Sequence, residues 1–458
     1  MRFFPDGFLW GSATSSYQIE GGWDADGKGA SVWDAFCREP GRVVNGDSGD
    51  VACDHYHRWR DDVALMAEMG LKVYRFSISW PRILPQGRGA VNEAGVRFYS
   101  DLIDELIAHD IIPWVTLYHW DLPLALEEEL GGWLHADLAE IFSEYARVCF
   151  DRLGDRVKHW ATFNEPWCAA MLSYGNGMLA PGHVSNTEPY VVAHNLLRAH
   201  GKTVALYRQK FQLEQNGCIG ITNNGEWREP LTASPEDQAA AQRSIEFFLG
   251  WFADPVYFGD YPAVMRERLG DRLPVFTDEE RAQLKGSSDY FGLNHYSTLF
   301  AAEPSGVDAS AVAGNGGASA DQGVTLSADE SWKKTAMGWN VVPWGCKKLL
   351  QWIDERYEHP EIYITENGSA WEDEIHDGIV NDTDRIEFMQ DYLLACHEAI
   401  ENGVRLKGYF AWSLLDNFEW AQGFGKRFGL IYVDYETQER TTKSSAKWYR
   451  NLMDQNAL

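Results

Sequence analysis

Ile362-Tyr363-Ile364-Thr365-Glu366-Asn367-Gly368 reads as one short strand with a stop attached. Branched and aromatic side chains favour a pleated backbone packed on its neighbours. Asn-Gly then supplies a turn immediately after the glutamate. A carboxylate is therefore expected at the C-terminal end of a strand. About 200 residues earlier the pattern recurs, where Thr162-Phe163-Asn164-Glu165-Pro166 closes another β-rich run. Pro166 is expected to bias the residue before it toward an extended backbone, holding Glu165 at its strand's end.

Around these two runs the chain repeats one rhythm. Short β-rich stretches fall at Phe8–Ala13, Val73–Ser79, Pro113–Leu117, His159–Asn164, Cys218–Asn223, Tyr290–Asn294, Ile362–Glu366 and Lys407–Trp412. Amphipathic segments separate them. Val96, Tyr99, Leu102, Ile103, Leu106 and Ile107, for example, follow i, i+3, i+4 spacing and draw one apolar stripe. Comparable periodicity fills 57–69, 138–153, 191–210, 345–357, 384–402 and 444–453. Eight strands alternating with helices predict an α/β fold, a single (β/α)8 TIM barrel spanning residues 1–458, with extended loops on its C-terminal face.

An open sheet with a nucleotide loop would need a glycine-rich motif. Gly201-Lys202-Thr203 resembles the end of one, but the residue that should be the loop's first glycine is Leu196 and the context is helical. Residues 304–329, rich in Gly, Ala and Ser, directly follow the sixth strand and read as a long loop insertion. Placed on the C-terminal face, such a loop is either an active-site wall or an insert without function.

Charge narrows the partners. With 40 Lys and Arg against 68 Asp and Glu, the net charge of −28 repels nucleic acid phosphates and anionic lipid, so neither nucleic acid nor membrane is expected as a partner. No stretch approaches the roughly 18 apolar residues of a membrane span, and the opening Met-Arg-Phe-Phe-Pro-Asp-Gly lacks the apolar core of a secretion signal. Seven widely spaced cysteines without a Cys-x-x-Cys suggest reduced thiols and a cytoplasmic location. Asp54-His55-Tyr56-His57 lacks a third ligand at metal spacing and reads as a helix N-terminus, so no metal site is expected. Aromatic residues reach 14% of the chain, including 20 Trp, and a flat indole with an N–H suits the C–H face and hydroxyls of a pyranose.

Strand ends of a closed barrel converge on one rim, which brings Glu165 and Glu366 together. Two carboxyls about 5–5.5 Å apart support a retaining double displacement, and about 6.5–9.5 Å an inverting one. The sequence does not distinguish these. With Glu366 ionised nearby, Glu165 is expected to keep its proton and act as acid, then as base once a glycosyl ester neutralises Glu366. Both proton transfer and nucleophilic attack would come from side chains, so no cofactor is expected.

These motifs, with the opening Phe8-Leu-Trp-Gly-Ser-Ala-Thr-Ser-Ser-Tyr-Gln-Ile-Glu-Gly21, resemble the signatures of glycoside hydrolase family 1, the β-glucosidases, over nearly the whole chain. The resemblance implies a (β/α)8 barrel and a retaining mechanism, with Glu165 as acid/base and Glu366 as nucleophile. It further implies that Gln18, His119, Trp120, Asn164, Tyr296, Trp412, Glu419, Trp420 and Phe428 bind the sugar, Asn164 at the 2-hydroxyl and Trp412 as the platform beneath the ring. Glu419 would accept from the 4- and 6-hydroxyls. Arg75, Asn294 and Tyr296 resemble the residues that orient the nucleophile, and Trp167, Leu172 and Trp339 those lining the aglycone side.

An acidic Glu419 would repel a 6-phosphate, so a neutral β-glucoside or short cello-oligosaccharide is the expected substrate, with β-fucosidase or β-galactosidase side activity. Trp167 and Leu172 are also expected to narrow the entrance against product glucose. Alternatives are a transglycosylating β-glycosidase and an inactive sugar-binding homologue; the latter normally lacks one of the glutamates. The sequence leaves room for a homo-oligomer.

Overall fold

The computed structural model describes residues 1–304 and 320–458. Strands run in chain order as β1 Leu9–Ala13, β2 Val73–Ser77, β3 Ile112–Tyr118, β4 His159–Asn164, β5 Cys218–Asn224, β6 Trp227–Pro230, β7 Phe291–Asn294, β8 Thr298–Ala302, β9 Thr325–Ser327, β10 Ile362–Asn367 and β11 Leu406–Trp412, followed by the short antiparallel pair β12 Ile431–Val433 and β13 Arg440–Thr442. Eight of them close a barrel in the order β1-β11-β10-β7-β5-β4-β3-β2, every neighbouring pair parallel. Helices follow the strands around the outside, as the predicted (β/α)8 architecture requires.

Each of the eight expected strands lies within two residues of an observed one. The largest difference is at β2, which ends at Ser77 rather than Ser79. There the Ser79 N–H leaves the ladder and donates to the Tyr99 hydroxyl at 2.7 Å, and Pro81 opens the short helix Trp80–Ile83. The helix Glu93–Ala108 buries Val96, Tyr99, Leu102, Ile103 and Leu106 as its stripe predicts, whereas Ile107, in the last turn, is 43% exposed. Gly201-Lys202-Thr203 sits inside the helix Glu188–Lys210, and His55 begins the helix His55–Glu68.

The barrel's lower interior is a packed aromatic layer rather than a pore. Trp114 stacks on His159 at 4.5 Å and meets Tyr290, Tyr363 and Phe410 with ring centroids 4.9–5.2 Å away. This plug closes the bottom, so polar side chains from the upper strand ends have only the C-terminal mouth to face.

Above that mouth lies a small second sheet that the sequence reading did not anticipate. β6 pairs parallel with β8, and β8 antiparallel with β9. Its strands have three to five residues, too short to show a period. Of the expected 304–329 insertion, residues 305–319 lie outside the described residues, while Thr325–Ser327 form β9. Among the described residues no helix is long and apolar enough to cross a membrane.

Candidate active site

Both glutamate strands break register at their upper ends. β10 slips against β7 between Ile364 and Glu366 and against β11 between Ile364 and Asn367, and β4 slips against β5 between Ala161 and Asn164. Such irregularities turn side chains out of the regular alternation, and here they direct Asn164, Glu165 and Glu366 into one cavity of about 430 Å³. Gly368 closes the second break. A Cβ there would stand 1.7 Å from the Trp412 carbonyl, so this glycine serves a close backbone approach, where the sequence had suggested a turn.

Glu366 is buried and held at both oxygens. Arg75 Nη1 donates to Oε1 at 2.6 Å, and the Tyr296 hydroxyl donates to Oε2 at 2.7 Å. Burial raises its pKa, while Arg75, Tyr296 and the Asn294 amide act against that rise by stabilising the carboxylate.

Glu165 receives less support. Asn294 Nδ2 donates to its Oε1 at 2.8 Å, and Cys168 Sγ lies 3.1 Å from its Oε2. Its backbone is left-handed, with φ 45° and ψ 65°, which corrects the expected extended conformation. Pro166 still excludes the right-handed helical region for Glu165, but the chain must turn sharply from β4 into the helix Pro166–Tyr174, and the left-handed region satisfies both demands. That conformation costs a non-glycine residue on the order of 1 kcal/mol or more. It is held by the Glu165 N–H donating to the Thr222 carbonyl and the Ala169 N–H donating to the Glu165 carbonyl. Burial first, and the Glu366 charge second, push the Glu165 carboxyl up to about 7. The sequence reading had named only the charge.

Asn164 ties the pair together. Arg75 Nη2 and Asn294 Nδ2 both donate to its Oδ1, at 2.6 and 3.0 Å, and its own amide donates to His119 Nε2 at 3.0 Å. The His119 proton is thereby placed on Nδ1, a buried nitrogen with no protein partner. Burial and Arg75 hold this imidazole well below its usual pKa, so it stays neutral. Glu419 Oε2 is likewise buried without a protein partner, and burial, then Glu366 and Glu165, push its carboxyl up to about 8. Because His119 and Glu419 line the same cavity, these two atoms offer a donor and an acceptor to a polar ligand there.

Aromatic rings form the cavity's walls. His119 lies nearly parallel to both Trp412 and Trp420, with centroids 6.0 and 5.9 Å away. Trp339 packs on Tyr296 and Phe428. Trp120, Trp167 and Leu172 complete the expected lining. Gln18 and Arg75 stand behind the cavity surface instead. The Gln18 amide donates to Asn417 Oδ1 and the Phe418 carbonyl, fixing the loop that carries Glu419.

The sequence reading missed Cys168, Glu226, Arg228 and Phe248, which also line the cavity. A signal existed for three of them. Cys168 is three residues beyond Glu165 on a helix, hence on the same face, and Glu226 and Arg228 alternate just beyond the fifth strand. Arg228 Nη1 donates to Glu226 Oε2 at 2.7 Å, so the only Lys or Arg among the described lining residues is already paired. Among the described residues no group of three or more His, Cys, Asp or Glu could hold a metal.

Comparison with known proteins gives a consistent result. Residues 1–458 match the sequence model of Glycosyl hydrolase family 1. The chain is 48% identical to Beta-glucosidase 42 of Arabidopsis thaliana over 98% of this chain and 94% of that one. It is 45% identical to Beta-glucosidase A of Thermotoga maritima, covering 100% of this chain and 99% of that one. Among solved structures it resembles a rice β-glucosidase with TM-score 0.94 at 43% identity, covering 99% of each chain. A mutant of that rice enzyme has been solved in a covalent complex with Glc. The cavity with its two buried glutamates thus stands in a chain that belongs, over its whole length, to glycosyl hydrolase family 1, enzymes that cleave glycosidic bonds.

Proposed function

We propose that the protein is a retaining β-glucosidase that removes terminal β-D-glucosyl residues from small glucosides and short cello-oligosaccharides. One observation carries the reading: two buried carboxyls share a cavity, but Glu366 is braced by a guanidinium and a phenol while Glu165 is not. Such a difference in environment separates a nucleophile from an acid. Glu366 attacks the anomeric carbon as Glu165 Oε2 passes its proton to the departing glycosidic oxygen. The ester formed neutralises Glu366, which removes the charge that raised Glu165. Glu165, now a carboxylate, takes a proton from water as the water oxygen attacks the same carbon, Glu366 leaves, and the product retains its β configuration.

The sugar's hydroxyls find their partners in His119 Nδ1–H as donor and Glu419 as acceptor, with Asn164 at the 2-hydroxyl and Trp412 and Trp420 against the ring. Because Glu419 is raised to about 8, binding a glucoside whose hydroxyls donate to it favours its ionised form. An additional phosphate would meet four carboxyls and no unpaired cation among the described lining residues, which disfavours phosphorylated sugars. Beyond the scissile bond, Trp167, Leu172, Phe248 and Trp339 offer apolar area to an aryl group, and Glu226 offers an acceptor to a second sugar. Incubation with p-nitrophenyl β-glucoside and with cellobiose, followed by NMR of the products, tests this. Release of glucose first seen as the β anomer is expected. First release of the α anomer would overturn retention, predominant oligosaccharide products would make the protein a transglycosylase, and no turnover would make it a sugar-binding homologue.

A further inference from the structure

Glu165 has a neighbour that the two-glutamate chemistry leaves unused. Cys168 lies one turn along the helix Pro166–Tyr174, buried, with its Sγ 3.1 Å from Glu165 Oε2. On the sulfur's other side Asn224 Nδ2 donates to Sγ at 3.5 Å, so the thiol is held between two polar groups rather than filling an apolar gap. Glu165 Oε1 is occupied by the Asn294 amide, which leaves Oε2 to carry the acid proton.

We propose that Cys168 is the positioning residue for Glu165, accepting a hydrogen bond from Oε2–H while Glu165 is an acid and donating its own S–H to Oε2 while Glu165 is a carboxylate. The inference rests on Glu165 being the acid/base. No proton passes between the two groups; the S–H turns about the Cβ–Sγ bond as the glutamate changes state. A thiol suits both states because sulfur is a weak acceptor and a weak donor. As acceptor it holds the Oε2–H only weakly, so that the proton turns to the more basic glycosidic oxygen when a substrate binds. As donor it gives the carboxylate a second hydrogen bond besides Asn294. Burial, together with the Glu165 charge, raises the thiol's pKa well above the usual cysteine range, so it keeps its proton throughout.

The other ionisable groups that act on Glu165 are Glu366 on β10, Arg75 on β2, Tyr296 just beyond β7 and Glu419 beyond β11, with Glu226 beyond β5 acting on the thiol. None of these groups is altered by changing Cys168, so the alkaline limb of the pH profile reads the thiol's effect.

The test is the pH dependence of kcat/KM on p-nitrophenyl β-glucoside for the unaltered enzyme, Cys168→Ala and Cys168→Ser. The charge-assisted S–H bond to the carboxylate is stronger than the Oε2–H bond to neutral sulfur, so losing both destabilises the carboxylate more and the alkaline limb of Cys168→Ala should move up by about half a pH unit, while the stronger hydroxyl donor of Cys168→Ser should move it down. Coincident limbs in all three proteins, or a downward shift for alanine, would overturn the proposal. A second readout is the infrared S–H stretch, taken as the unaltered enzyme minus Cys168→Ala. It should fall in frequency as the pH crosses the alkaline limb, and a band that does not move also overturns the proposal. Glu165→Gln separates the two levels. If it abolishes the alkaline limb, coincident limbs in the cysteine variants count against Cys168 alone; if the limb survives, the acid assignment fails and this inference fails with it.

Discussion

Arg75 bridges the strand of Glu366 and the strand that leads to Glu165, its two terminal nitrogens reaching Glu366 Oε1 and Asn164 Oδ1 at 2.6 Å each. One buried guanidinium therefore both steadies the Glu366 charge and aims the Asn164 amide at His119. Arg75→Met should lower kcat/KM by about 10²–10³-fold, as expected for losing a preorganised charge contact. Without the cation the Glu366 carboxyl is harder to ionise, so the acid limb of the pH–rate profile moves to higher pH. An acid limb that stays put in this variant would show that Arg75 does not act through Glu366.

Glu165 makes an opposite demand on stability. Its folded-state pKa of about 7 lies above that of an exposed glutamate, so the unfolded chain loses this proton first as the pH rises. Stability is then undiminished below about pH 4 and declines toward pH 7, where the folded carboxyl also ionises. Glu165→Gln removes that penalty. Its Tm should exceed that of the unaltered protein at pH 7.5, with the difference vanishing near pH 4.5, while turnover of unactivated glucosides is lost. Thermal melts at both pH values check this.

Glu419 bears the test of sugar choice. Charge-assisted hydrogen bonds to two hydroxyls contribute about 1.5–3 kcal/mol each. Glu419→Ala should lower kcat/KM for p-nitrophenyl β-glucoside by about 10²–10⁴-fold, and for the corresponding 6-deoxy-β-glucoside, which lacks the 6-hydroxyl, by only about 10–10²-fold. Equal losses on the two substrates would place Glu419 away from the 6-hydroxyl.

The leaving-group side offers a fourth measurement. Glu226 is held by Arg228 at one oxygen, and its side chain remains 29% exposed in the cavity wall. Glu226→Ala should raise KM for cellobiose about 3–10-fold, the worth of a hydrogen bond to a hydroxyl, and leave p-nitrophenyl β-glucoside within twofold. A matching change on both substrates would mean that Glu226 acts on the glucosyl side.

The barrel was legible because its strands obey one rule: each is a short branched or aromatic run, and its upper end faces the rim. That rule placed Glu165 and Glu366 in a common cavity although the chain separates them widely. It did not reveal how they are aimed. The left-handed backbone at Glu165 and the register breaks in β4 and β10 arise from tertiary packing, which a propensity argument at Pro166 does not contain. Nor did it reveal that the Gln18 amide donates to the loop that carries Glu419. The strands of the small sheet were too short to read, so the alternation of Glu226 and Arg228 beyond β5 went unused.

The central claim is that Glu366 is the nucleophile and Glu165 the acid/base. Glu366→Ala supplied with 2,4-dinitrophenyl β-glucoside and sodium azide tests it most directly, with the anomeric configuration of the product read by NMR. Azide entering the space left by the deleted carboxylate attacks from the nucleophile's face, so activity should return and the product should be the α-glucosyl azide. A β-glucosyl azide would show that the two glutamates have exchanged roles and would contradict the account.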